Sequence, residues 1–247
     1  MNPKLCRYKE IFPYINNTVT ISNEHQIINA SWIHIPYEKS FIASQGPPEY
    51  CKEDFWQMCF EYNVKVIVML CKEEEEGVKK CSTYWDLPKS AGFKILKIEE
   101  KEKNNLYIVK DIIVQRSNEQ QIIRRFAHFQ FLEWPDHRTP NYENVVKNFE
   151  YLFQFVKIKK EREPAVIHCS AGVGRTGVFL TLYILYKEIM DKINANSEEI
   201  SFNIFNLVRK LKEFRMFLVE NINQYGFIYH FIDELLKEKN IPRQNQL

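Results

Sequence analysis

The sequence predicts an α/β fold with a central, mixed, twisted sheet flanked by helices. Apolar runs rich in β-branched residues interleave with segments of helical periodicity. Several of the runs lie close enough in the chain to pair as hairpins, which makes the sheet mixed. A length of 247 residues, 45% of them hydrophobic and 14% aromatic, suits one large domain with a well-buried core.

Strands are expected at Val64–Leu70, Phe93–Ile98, Leu106–Val114, Ile122–Leu132 and Ala165–His168. Helices are expected at Glu53–Tyr62, Glu143–Ile158, Thr176–Ile193, Ser201–Phe214 and Asn221–Lys237. Pro135, Pro140 and Pro164 punctuate the joins. The acidic run Glu73 to Glu76, followed at once by Gly77, reads as a loop. With no repeat and no Gly/Ser linker, residues 1–239 form a single domain and 240–247 a frayed tail.

Composition removes several classes of function. The formal net charge of +2 is too small for a general nucleic-acid binder. Only 7 glycines and 10 prolines argue against disorder or a collagen-like repeat. The six cysteines, Cys6, Cys51, Cys59, Cys71, Cys81 and Cys169, contain no C-x-x-C pair, so no zinc knuckle or thioredoxin-like motif is written here. All except Cys169 read as small buried hydrophobes. Free thiols without a signal peptide point to a reducing cytosol. The longest apolar stretch, Val178 to Tyr186, is too short to span a bilayer, so no membrane insertion is expected.

The decisive segment is Ala165–Val178, in which a buried strand ends at His168, a glycine-containing loop follows, and a helix begins near Arg175. Gly172 and Gly174 let successive backbone N–H groups turn inward and form an anion nest at a helix N-terminus. A phosphate dianion fits there, ringed by Ser170, Ala171, Gly172, Val173 and Gly174 and held by the planar guanidinium of Arg175. The same field favours the thiolate of Cys169 and makes it a nucleophile. The Thr176 hydroxyl can donate to the sulfur and help it leave later. No Gly-Lys-Ser/Thr occurs, which excludes a Walker A loop.

A bare Cys-x5-Arg pattern would leave an ordinary buried cysteine as plausible as a nucleophile. The whole string His168-Cys169-Ser170-Ala171-Gly172-Val173-Gly174-Arg175-Thr176-Gly177 closely resembles the signature of the protein tyrosine phosphatases. Further segments resemble that family in its order: Arg7-Tyr8, Ile28–Ser31, Phe41–Pro47, Phe55–Met58, Ile67–Leu70, Lys80-Cys81, Tyr84-Trp85, Trp134-Pro135-Asp136 and Gln224–Phe227.

The resemblance implies the family's fold and hydrolysis of phosphotyrosine through a phosphocysteine. Asp136 would be the general acid on a mobile loop. Tyr8 would stack on the substrate ring, with Glu10 binding the substrate backbone and Ile11 lining the pocket. Glu75 would pair with Arg175, Lys80 would lie near Asp136, and His168 and Gln224 would support the site. The Tyr8 loop favours the tyrosine-specific branch, because a deep pocket excludes shorter phosphoserine and phosphothreonine. The implied partners are phosphotyrosine-containing proteins, with no nucleic acid, cofactor or metal, and a monomer is expected.

Three positions depart from the family pattern. Glu220 stands where the family has the glutamine that positions water for phosphocysteine hydrolysis. A carboxylate cannot donate a hydrogen bond and repels phosphate, so the second chemical step is expected to be slow. Arg138 replaces a usual glycine in the acid loop, and Asp86 replaces a usual proline after Trp85. These changes keep open a phosphotyrosine-binding module with little turnover. A phosphoinositide phosphatase would call for basic residues among Ser170, Ala171 and Val173, which are absent. Abundant Lys, Asn, Ile and Phe, together with these substitutions, resemble members carried by insect-associated DNA viruses, which would act in a host cytosol.

Overall fold

The computed structural model describes residues 5–22, 27–35, 40–117, 122–134, 139–140, 145–160, 163–197 and 200–241. In chain order its strands are β1 (Thr18–Thr20), β2 (Ile27–Ile33), β3 (Phe41–Ser44), β4 (Val66–Met69), β5 (Glu74–Glu75), β6 (Val78–Lys79), β7 (Phe93–Lys103), β8 (Tyr107–Arg116), β9 (Ile123–Phe131) and β10 (Ala165–His168). Its helices are α1 (Lys52–Glu61), α2 (Val145–Lys160), α3 (Gly174–Asn194), α4 (Ile204–Phe214) and α5 (Ile222–Glu238).

Eight strands form one sheet in the order β1-β2-β3-β10-β4-β9-β8-β7. The central strands β3, β10, β4 and β9 run parallel, and antiparallel arms extend from both sides. β10 is buried along its whole length between β3 and β4, which suits its unbroken apolar run. Its side chains alternate between two cores. Val166 packs with Phe55, Trp56 and Phe126 on the α1 face. Ile167 packs with Phe149, Phe153, Phe179 and Phe231 on the face of α2, α3 and α5. The sheet is therefore covered on both sides, and His168, level with Ser44 and Met69, marks its carboxyl edge at the centre. Parallel sheets present ligand sites at that edge.

Several sequence-based bounds shift. The three N-terminal strands were not expected. β7 continues past Ile98 to Lys103 as an exposed ribbon of Glu and Lys. The acidic run is not simply a loop: β5 and β6 pair across Glu76 and Gly77, whose φ values of 51° and 75° form a tight hairpin turn. α4 starts at Ile204 because the Asn203 side chain accepts from Asn206 N at 2.8 Å and caps it. Asn221 caps α5 the same way, accepting from Gln224 N at 3.0 Å. The expected helix start at Glu143, and the tail from residue 242 on, lie outside the described residues. Among the described residues no helix is long and apolar enough to cross a membrane.

Candidate active site

The segment after β10 turns its carbonyls outward one after another. Cys169 O accepts from His168 Nδ1 (3.1 Å), and Ser170 O accepts from Gly46 N (2.9 Å). Arg215 donates to Ala171 O (3.1 Å) and Gly172 O (2.9 Å). Val173 O accepts from Gly177 N (2.9 Å) and Val219 N (3.2 Å). With five successive carbonyls engaged outside the loop, the amides are left to face the cleft at the start of α3. Gly172 must be glycine twice over: its φ is +72°, and a Cβ would lie 2.1 Å from Ser44 O. At Gly174 a Cβ would meet the ends of Gln224 at 2.7 Å and Glu220 at 2.8 Å, so a larger residue would push these two side chains aside.

Cys169 sits in this cradle, 4% exposed. Its sulfur accepts from Gly172 N and from Thr176 Oγ1, both at 3.3 Å. These two donors stabilise negative charge on sulfur. The other cysteines are free and buried, and burial pushes the Cys51 thiol up to about 12 and those of Cys59 and Cys71 well above the ordinary range. Cys169 differs from these in the two donors that converge on its sulfur.

Arg175 opens the helix behind the loop. It makes a two-pronged contact with Glu75, at 2.7 and 3.1 Å, and donates to Trp134 O at 2.8 Å. The planar guanidinium is thereby fixed at the cleft wall, in the geometry that suits an oxyanion. The other wall carries Tyr8, whose hydroxyl bonds to Ser170 Oγ at 2.9 Å. Arg7 clips this segment to Gly46 O (2.9 Å) and Pro47 O (2.8 Å). Tyr8, Ile11, Cys169, Ser170, Ala171, Gly174, Arg175, Glu220 and Gln224 together line a cleft.

A family model for protein-tyrosine phosphatase matches residues 2–234. The chain belongs to the protein-tyrosine phosphatase family. It is 34% identical over 242 residues to rat tyrosine-protein phosphatase non-receptor type 20, covering 94% of this chain and 54% of that protein. It is 33% identical over 254 residues to human non-receptor type 12, covering 96% of this chain and 31% of that one. The chain thus spans about half or less of the length of these relatives. Among solved structures it resembles the catalytic domain of human protein tyrosine phosphatase non-receptor type 18, with 29% identity and a TM-score of 0.82 over 95% of this chain and 85% of that one. A structure of the type 18 protein in complex with HER2 phosphopeptides matches with 28% identity and a TM-score of 0.83, covering 96% of this chain and 83% of that one.

Within this phosphatase fold the remaining expected site residues fall as follows. Glu10 is exposed and does not line the cleft. Ser170 Oγ also donates to Lys80 O at 2.9 Å, which brings the Lys80 backbone beneath the loop. Asp136 and Arg138 lie outside the described residues. Gln224 is buried, and its Oε1 accepts from Glu220 N at 2.9 Å. Glu220 reaches over Gly174, and Lys212 donates to the neighbouring Val219 O at 3.0 Å.

Two supports escaped the sequence reading. Arg215 is fully buried and bonds to Asn29 Oδ1 (2.8 Å) and Ser31 Oγ (3.1 Å) on β2 as well as to the two loop carbonyls. Burial lowers its pKa to about 10, so it is still cationic at neutral pH, a charge set directly under the phosphate cradle. The second support is a chain of rings. Tyr84 OH lies 3.1 Å from His168 Nε2 and 2.5 Å from His128 Nε2. Burial holds the His168 pKa down at about 4 and that of His128 well below the ordinary value, so both rings are neutral. A neutral His168 that donates from Nδ1 to Cys169 O must accept at Nε2 from Tyr84, and Tyr84 in turn accepts from His128.

Proposed function

We propose that this chain hydrolyses phosphotyrosine in proteins through a phosphocysteine intermediate. The carrying observation is Cys169 at the cleft floor, its sulfur bonded by Gly172 N and Thr176 Oγ1, with Arg175 held at the wall by Glu75. The Cys169 thiolate attacks phosphorus, the bond from phosphorus to the tyrosine oxygen breaks, and its electron pair leaves on that oxygen. Asp136 gives its proton to the departing phenolate. The loop amides and Arg175 hold the three equatorial oxygens as charge shifts. Water then attacks the phosphocysteine and gives a proton to the Asp136 carboxylate, the sulfur–phosphorus bond breaks with its electron pair returning to sulfur, and Thr176 receives the thiolate with a hydrogen bond. Phosphate is released.

Tyr8, on the opposite wall, fits a substrate ring inserted at full depth, which favours tyrosine over shorter hydroxyl residues. Phosphopeptides in the similar type 18 structure support the same substrate class. Residues 1–239 act as one catalytic domain, monomeric and in the cytosol. The second half-reaction is slow, because Glu220 faces the phosphate cradle with an acceptor-only group where a donor would orient water. A chain that captures phosphotyrosine and releases phosphate slowly also serves as a substrate trap.

The test is phosphate release from a phosphotyrosine peptide, beside phosphoserine and phosphoinositide controls, by wild type and Cys169→Ser. Wild type is expected to act on the phosphotyrosine peptide alone, and Cys169→Ser to lose activity by about 10⁴-fold or more. Equal release by the two proteins would overturn the assignment.

A further inference from the structure

Lys110, on β8, is a buried cation that the site described above does not use. It is 8% exposed, and its Nζ lies 3.4 Å from the centre of the Trp85 ring. Burial pulls its pKa down to about 8 while Glu73 and Glu100 pull it back up, so it stays cationic at neutral pH. Among the described residues it has no hydrogen bond or ion pair. A buried charge set on an aromatic face and otherwise unpaired is costly, which points to a use for the charge itself.

Directly across the β8–β9 ladder stands His128, so the two side chains share one face of the sheet. Trp85 lies against both, its ring 5.3 Å from the His128 ring and edge-on to it. His128 is fully buried; its Nε2 meets Tyr84 OH at 2.5 Å, and its Nδ1 has no partner among the described residues. After burial, Lys110 is the strongest influence keeping this ring uncharged. Tyr84 has one phenolic proton and two imidazoles within reach of it, His128 and His168. If His128 carried its own proton on Nδ1, its Nε2 would take the phenolic proton and His168 would lose its donor. That tautomer would also leave a buried N–H without an acceptor, close to an ammonium. With the proton on Nε2, the bare Nδ1 is a lone pair, which a nearby cation stabilises.

We propose that Lys110 is a positioning residue: its ammonium, seated on Trp85, holds His128 as the neutral Nε2–H tautomer and so sets the direction of the hydrogen-bond chain through Tyr84 and His168 to Cys169 O. The Tyr84 proton then belongs to His168, whose Nδ1–H is left to hold the Cys169 carbonyl away from the cleft. For its effect on rate this rests on the phosphatase function above. Lys110 touches neither substrate nor sulfur, and it acts through three aromatic side chains in series.

The experiment compares wild type, Lys110→Met and Lys110→Arg by side-chain ¹⁵N NMR of His128, by melting temperature, and by single-turnover formation of phosphocysteine from a phosphotyrosine peptide. Wild type is expected to show His128 protonated at Nε2 and bare at Nδ1. In Lys110→Met the Nδ1–H form appears and phosphocysteine forms about tenfold more slowly. The melting temperature holds or rises there, because an apolar side chain replaces a buried cation. Lys110→Arg, which keeps the charge, restores both the tautomer and most of the rate. A merely structural role would lower the melting temperature and leave the tautomer alone. A Lys110→Met protein with the wild-type tautomer, or a folded Lys110→Arg no better than Lys110→Met, overturns the proposal. A wild type that forms no phosphocysteine, yet whose His128 changes tautomer in Lys110→Met, upholds the role of Lys110 in the chain and overturns the phosphatase function instead.

Discussion

The phosphate loop and the loop that carries Glu220 lie against each other yet are held in opposite ways. From Cys169 to Val173 each backbone carbonyl has a partner, among them Arg215, Gly46 and His168, and the loop's amides face the cleft. From Arg215 to Ile222 the chain contains two residues in left-handed backbone, an exposed ring and an acidic side chain facing an anion site. The contact between them is tight, since a Cβ at Gly177 would stand 2.2 Å from Val219 N. The first region equips thiolate attack. The second brings Glu220 to the cleft, one of the three positions read from the sequence as departures from the family pattern. The proposed function therefore assigns capture and release to neighbouring loops.

The largest expected effect breaks the first region through its ring support. Unfolded His168 takes up a proton near its ordinary value of 6.5, whereas the folded ring does so only near about 4. Between those values the unfolded state holds more protons, so stability rises with pH and is lost as pH falls through the window. The gap corresponds to about 3 kcal/mol, and His128 acts in the same direction. Urea unfolding from pH 7 to 4 is expected to show this decline, with a shallower slope in His168→Asn. Equal slopes would place the acid sensitivity elsewhere.

Next in size is Arg215. Arg215→Met leaves Ala171 O and Gly172 O without their donor and lets the cradle relax, with an expected loss of about 10- to 100-fold in kcat. Single-turnover rates of phosphoenzyme formation check this; a variant that forms phosphocysteine at the wild-type rate would show that the loop holds its shape unaided.

The two regions also differed in how far they could be read from sequence. The cradle was legible because its chemistry lies in one continuous string, where glycine, cysteine and arginine have few other uses together. Its underpinning was not, because Arg215 meets Asn29 and Ser31 across most of the chain. Those same partners hid β2: Asn29 and Ser31 are polar yet buried, and they interrupt the apolar pattern by which a strand is recognised. The far half of β7 was missed for the converse reason, since Glu99 to Lys103 form a ribbon with solvent on both sides and no apolar period.

Glu220 joins the two regions, and the smallest expected change bears most directly on their separation. Rapid-quench measurement of phosphocysteine on a phosphotyrosine peptide should give a burst approaching one equivalent of enzyme in wild type, followed by slower steady turnover. In Glu220→Gln a restored hydrogen-bond donor should raise the steady rate by roughly 2- to 10-fold and shrink the burst, with phosphoenzyme formation unaltered. A wild type without a burst, whose steady rate Glu220→Gln leaves unchanged, would contradict the division of capture from release.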